Sequence, residues 1–105
     1  MKTVEGLQAL IAAKQDLSQV GWIFVDKDFD KTSANALMAA QFYVSENDDD
    51  DFYGENHLAT WMEAPTFLDI FDVRTMQLKD PTVMDIAIAA VYYLEKDAFL
   101  EDISP

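Results

Sequence analysis

The sequence has no cysteine, one histidine and only three glycines among its 105 residues. Without cysteine there can be no disulfide framework, no thiolate metal site and no cysteine nucleophile. The chain also has no glycine-rich loop of the kind that holds phosphates. These absences favour a binding protein over an enzyme, and we expect no catalytic residue, no cofactor and no bound metal ion.

Basic residues are scarce, since 7 Lys and Arg face 20 Asp and Glu, for a net charge of −13. A nucleic-acid-binding protein neutralises phosphates with several Lys or Arg side chains, so the charge argues against RNA or DNA as a ligand. It disfavours an anionic membrane surface for the same reason. The charge favours a cationic partner instead.

Long hydrophobic runs are missing too, because no segment approaches the roughly 18 apolar residues of a membrane span. The amino terminus does not resemble a secretory signal, and we therefore expect a cytosolic protein. Half of the residues are hydrophobic and 26% are charged, which is typical of a globular chain. The length predicts one domain over residues 1–105.

The hydrophobic pattern predicts a small α+β domain with the order α-β-β-β-α-α. Three predicted strands form an antiparallel sheet: a buried central strand at 21–25, a second strand within 36–44 and a third at 58–62. A first helix is predicted from a Thr3 cap to about Gln15. A short helix follows Thr66 and ends near residue 76.

The last helix has the clearest start, with Asp80 as the predicted cap and Pro81 in the first helical position. It is predicted to continue to about Glu95. Its apolar residues recur at helical spacing and form one stripe: Val83, Ile86, Ala87, Ala90, Val91 and Leu94.

Residues 45–56 are predicted to form an exposed acidic loop. Six acids lie within ten residues: Glu46, Asp48, Asp49, Asp50, Asp51 and Glu55. Phe52 and Tyr53 stand beside them. Exposed acids steer a cationic partner and aromatic side chains anchor it, so these eight residues are predicted to bind a partner. The alternative is a loop that only keeps the chain soluble.

A second acidic segment contains Asp26, Asp28 and Asp30, which have the spacing of the first calcium ligands in an EF-hand. Lys31 and Leu37 stand where that loop needs a glycine and a bidentate glutamate, so we expect no calcium site. We assign the three aspartates to the same partner-binding surface, the alternative being a solvated loop.

Three other functions stay open. A small metal-dependent hydrolase would use Asp26, Asp28, Asp69 or Asp72, provided that these residues converge. An acidic inhibitor that mimics a nucleic acid would need carboxylates spaced along one face like phosphates. A structural subunit would bury an apolar surface in a homodimer.

Two stretches resemble a family of small, acidic, largely uncharacterised bacterial domains: residues 21–26, Gly-Trp-Ile-Phe-Val-Asp, and residues 91–99, Val-Tyr-Tyr-Leu-Glu-Lys-Asp-Ala-Phe. In length and charge the chain also resembles immunity proteins of bacterial toxin systems, including contact-dependent growth inhibition. That resemblance implies a cytosolic protein that binds one cognate toxin, commonly a basic nuclease, in a one-to-one complex and covers its active site. It carries over no catalytic residue, and the family pattern lacks the aspartate run at 48–51.

Overall fold

Four short strands form one antiparallel sheet in the computed structural model, which describes residues 1–17 and 21–100. The strands are β1 (Lys2–Glu5), β2 (Trp22–Val25), β3 (Gln41–Val44) and β4 (Ala59–Glu63). Their order across the sheet is β1-β3-β2-β4, and every neighbouring pair is antiparallel. β2 is a central strand as predicted, and its Ile23, Phe24 and Val25 are buried.

Five α-helices surround the sheet within the described residues: α1 (Leu7–Ala12), α2 (Ala34–Leu37), α3 (Asp48–His57), α4 (Ala64–Leu78) and α5 (Val83–Lys96). A short 3₁₀ turn, Lys14–Asp16, follows α1. The α+β class is therefore correct, but the expected three strands and three helices undercount both types of element. None of these helices is long and apolar enough to cross a membrane.

The predicted first helix combined two different elements. Thr3 is a residue of β1 rather than a helix cap. Its neighbour Val4 also belongs to β1, and its side chain is buried in the core. The chain turns at Gly6, whose φ of 86° is one that glycine adopts without strain. The Gly6 N–H donates to the carbonyl of Ala40 at 2.7 Å, which fixes the turn against the segment before β3.

The segment predicted as a second strand over 36–44 is part helix and part strand. Ser33 caps α2 by accepting the N–H of Ala36 at 3.1 Å, and the strand begins only at Gln41. The third predicted strand is shifted by one residue, to Ala59–Glu63.

The starts of the last two helices also differ from the prediction. α4 begins at Ala64 with Pro65 in its first turn, so Thr66 lies inside the helix and does not cap it. α5 is capped by Thr82 rather than Asp80: Thr82 and Asp85 exchange two hydrogen bonds in a capping box. Both helices end one or two residues beyond the predicted positions.

The core lies between one face of the sheet and helices α1, α2, α4 and α5. Trp61 of β4 is buried in it, with ring centroids 4.9 Å from Phe42 and 5.6 Å from Phe67. The predicted stripe of α5 supplies Ile86, Ala87 and Ala90, which are buried, while its Leu94 is exposed at the end. Beyond α5, Leu100 packs on the core; residues 101–105 lie outside the described residues.

Candidate partner-binding surface

The acidic segment predicted as a loop is the helix α3. Asn47 caps it, since its side-chain oxygen accepts the N–H of Asp50 at 2.9 Å. The four aspartates occupy the first turn, where the partial positive charge of the helix terminus favours carboxylates. This helix is stabilised by its cap and its terminal charges, so the expectation of a loop over these residues is wrong.

α3 lies against the sheet through Gly54, which is buried over the ring of Phe24. A Cβ at this position would overlap the carbons of that ring, so the helix backbone and the aromatic side chain are in direct contact. A glycine inside a helix marks such a close approach.

The opposite side of α3 is exposed. Phe52 is 71% exposed and Tyr53 is 54% exposed, and the Tyr53 ring lies 4.5 Å from the ring of His57 one turn later. Five of the predicted partner-binding residues are fully on this surface, which we call the α3 face: Asp48, Asp49, Phe52, Tyr53 and Glu55.

Asp50 and Asp51 are held by the fold rather than presented to solvent. The Asp50 carboxylate lies 2.8 Å from the amino-terminal nitrogen of Met1 and accepts the N–H of Glu46 at 2.9 Å. Asp51 accepts the backbone N–H of Trp22 at 3.3 Å. Glu46 is exposed, but its carboxylate also contacts the amino terminus, at 3.3 Å. The expectation of a uniformly exposed acidic loop is therefore wrong at two of its four aspartates.

The ion pair at the amino terminus changes the titration of both partners. The hydrogen bond from the terminal ammonium, and next the N–H of Glu46, hold the pKa of Asp50 below its ordinary value. The carboxylate of Asp50, and to a smaller extent that of Glu46, raise the pKa of the amino group. Asp50 thus joins Met1, the residue before β1, to the first turn of α3.

The second acidic segment reaches the same face of the sheet through Tyr43. The Tyr43 hydroxyl donates to the Asp26 carboxylate at 2.8 Å. Tyr43 is the cross-strand partner of Phe24, whose ring lies under Gly54, and paired residues share a sheet face. Asp26 and α3 therefore belong to one side of the molecule.

The pKa of Tyr43 is raised, chiefly by the hydrogen bond to the Asp26 carboxylate and then by burial. The negative charge of Asp26 adds to the effect. From the sequence, Tyr43 was placed only within the second predicted strand. Its neighbours Phe42 and Val44 are both apolar, so nothing beside it in the sequence indicates this hydrogen bond.

The remaining predicted residues of this segment lie in its turn. Asp30 accepts the backbone N–H of Thr32 at 2.9 Å and also the Thr32 hydroxyl, and both bonds lower the pKa of Asp30. Asp28 is exposed. The Lys31 ammonium donates to the carbonyl of Thr60 at 2.7 Å, which fixes the turn to β4.

No three Asp, Glu or His side chains in residues 1–17 and 21–100 come together in a way that could hold a metal ion. The four aspartates considered for a hydrolase, Asp26, Asp28, Asp69 and Asp72, therefore do not converge on a metal site.

A family model for a domain of unknown function, DUF7716, matches residues 5–102. The chain belongs to this family. No curated protein and no solved structure matches the chain. The DUF7716 match includes α3 and the segment from Asp26 to Asp30, whereas Met1, which pairs with Asp50, precedes it.

Proposed function

We propose that this DUF7716 domain is a cytosolic immunity protein that binds a basic toxin domain in a one-to-one complex and occludes its active site. The α3 face carries the proposal, because it presents acids and large aromatic side chains together. The net charge of −13 supports a cationic partner of the same kind.

Phe52 and Tyr53 supply the aromatic part of this surface. Apolar side chains of this size are usually buried, and Phe52 leaves most of its ring in water at a cost of about 1.5–3 kcal/mol relative to burial. A partner that covers both rings recovers this free energy. Aromatic residues at the centre of an interface commonly contribute about 2 kcal/mol or more each.

Asp48, Asp49 and Glu55 supply the electrostatic part. Exposed acids increase the rate of encounter with a basic surface and contribute less to the lifetime of the complex. Asp26 extends the negative surface on the same side of the sheet.

The proposed mechanism is competition for the toxin's cationic residues. A nuclease holds RNA or DNA phosphates with Lys and Arg side chains. Carboxylates of the α3 face pair with those side chains, and the body of the domain then blocks the approach of the substrate. This mechanism requires no catalytic group in the immunity protein.

The test begins at the neighbouring gene. An exported protein encoded there, with a variable carboxy-terminal domain, provides the probe: that domain is produced in a bacterium with and without this chain. We expect the wild-type chain to restore growth and to bind the domain one-to-one in isothermal titration. A Phe52→Ala/Tyr53→Ala variant should lose protection while keeping its thermal unfolding midpoint. The proposal would be contradicted if only metabolic genes lay beside this gene, or if the variant still protected the cells.

A further inference from the structure

A second feature of the surface is a pocket of about 280 Å³ at the end of the sheet where β2 begins and β4 ends. Its wall includes three aromatic side chains: Trp22 of β2, Trp61 of β4 and Tyr93 of α5. Two carboxylates complete it, Glu63 and Asp97, both on exposed residues. Trp22 belongs to the strand that was predicted to be buried, but it is only half-buried at this pocket.

The lining of the pocket is suited to an organic cation. Aromatic faces attract ammonium and guanidinium groups, most strongly when water is excluded. Carboxylates bind the same groups with charge-assisted hydrogen bonds. Among the described residues, no Lys or Arg lines this pocket, so a bound cation meets two negative charges and no positive charge.

The size of the pocket limits its occupant. Sites for drug-sized ligands occupy about 300–1,000 Å³, so a volume of about 280 Å³ lies just below that range and is sufficient for one long side chain.

The pocket adjoins the acidic end of α3. The backbone N–H of Trp22 donates to Asp51 in the first turn of that helix, while the Trp22 side chain lines the pocket. A protein that covers the α3 face is therefore close to the pocket as well.

We infer that this pocket binds the guanidinium or ammonium group of one Arg or Lys side chain that projects from the protein partner. This inference rests on the proposed function, because it takes the partner to be a basic protein. The side chain inserts between the aromatic rings, and Glu63 and Asp97 pair with its charge.

The chain itself offers a direct readout, because Trp22 and Trp61 are its only tryptophans and both line the pocket. The probe is N-acetyl-arginine methylamide, titrated against the wild-type chain at constant ionic strength while tryptophan fluorescence is recorded. We expect saturable binding with a dissociation constant on the order of 1–10 mM, which is typical of a single weak contact. The matching citrulline derivative, which has the same shape and no charge, should bind about tenfold more weakly.

Two conservative variants connect the signal to the pocket. Glu63→Gln and Asp97→Asn should each weaken arginine binding about fivefold by removing one charge of the pair. Asn tolerates the left-handed backbone of residue 97, whose φ is 53°, so this variant should fold normally. Asp72→Asn is the matched control, because Asp72 is exposed on α4 and does not line the pocket.

Equal binding of the arginine and citrulline derivatives would overturn the inference, and so would the absence of any saturable signal. Binding of tetramethylammonium without binding of the arginine derivative would mean that the occupant is a free small cation. If the arginine derivative did not bind the pocket but the toxin domain still bound the chain, only this inference would be contradicted. Arginine binding without any toxin partner would contradict the proposed function and leave the cation chemistry of the pocket in place.

Discussion

At the scale of single residues, the four consecutive aspartates of α3 have two different roles. Helical geometry rotates each successive side chain by about 100°, so a run of identical residues cannot point in one direction. Asp48 and Asp49 face solvent, whereas Asp50 and Asp51 bond to the amino terminus and to β2. The run could be recognised from composition. The division within it could not, because it depends on what lies beside the helix.

This division predicts a pH-dependent effect of Asp50→Asn on stability. The lowered pKa of Asp50 means that its carboxylate stabilises the fold above its ordinary value of 3.8, and that this contribution is lost as the pH falls through the lower folded-state value. The raised pKa of the amino group means that the ammonium contributes below 8.0 and is lost as the pH rises through its higher folded-state value. The variant should therefore be destabilised most between these limits.

Urea unfolding midpoints measured across the acid, neutral and alkaline ranges provide the check. Asp49→Asn is the matched control, because it removes an exposed charge from the same helical turn and should lower the midpoints only by the small contribution of one charge at the helix terminus. A constant loss at every pH for Asp50→Asn, or an equal loss for Asp49→Asn, would show that the ion pair does not stabilise the fold.

At the scale of elements, predictability depended on how each element is stabilised. β2 was recognised as a continuous run of apolar residues and α5 by the helical spacing of its apolar residues, because both elements bury apolar side chains. α3 has no such period, since its cap and terminal charges stabilise it and only Gly54 is buried. β1 was merged into a helix because Val4, Leu7 and Leu10 fit one helical face by chance of spacing, although Gly6 divides them.

The contact between α3 and the sheet predicts an unusual effect of Gly54→Ala. Replacing glycine by alanine inside a helix ordinarily stabilises it by about 1 kcal/mol. Here the added methyl group overlaps the Phe24 ring, and overpacking of this kind costs about 1–3 kcal/mol or more. We expect Gly54→Ala to lower the free energy of unfolding, measured by urea denaturation.

A double-mutant cycle identifies the cause. Phe24→Leu removes part of the ring, so the cost of Gly54→Ala should be smaller in that background. Glu55→Ala changes the exposed neighbouring residue and should shift stability by about 0.5 kcal/mol or less. An unchanged or increased stability in Gly54→Ala would mean that the helix is farther from the sheet.

At the scale of the whole molecule, the two faces of the sheet have different roles. One face is buried by α1, α2, α4 and α5 and forms the core. The other carries α3 and, through Tyr43, the Asp26 carboxylate. Both acidic segments could be predicted from the sequence to be largely exposed. Their location on the same side of the sheet could not, because it depends on the register of the strands. The pocket beside Trp22 was equally beyond prediction, because its walls come from distant elements.

This arrangement predicts a division of kinetic roles once the toxin domain is in hand. Asp48→Asn/Asp49→Asn removes two exposed charges without touching the bonds of Asp50 and Asp51, so the fold should be preserved. In stopped-flow measurements its association rate should fall several-fold at low salt. The difference from wild type should shrink as salt rises, because exposed charges are screened over roughly 8–10 Å at physiological ionic strength.

Phe52→Ala should act on the other rate constant. Loss of a buried aromatic anchor worth about 2 kcal/mol raises the dissociation rate roughly 30-fold with little change in association.

Asp69→Asn/Asp72→Asn is the matched control for the charge variant Asp48→Asn/Asp49→Asn, since it removes two exposed charges from α4 and leaves the α3 face intact. If the association rate fell equally in this control, the effect would come from the total charge of the protein and not from the α3 face. An unchanged association rate for Asp48→Asn/Asp49→Asn at low salt would assign the encounter surface to another part of the molecule.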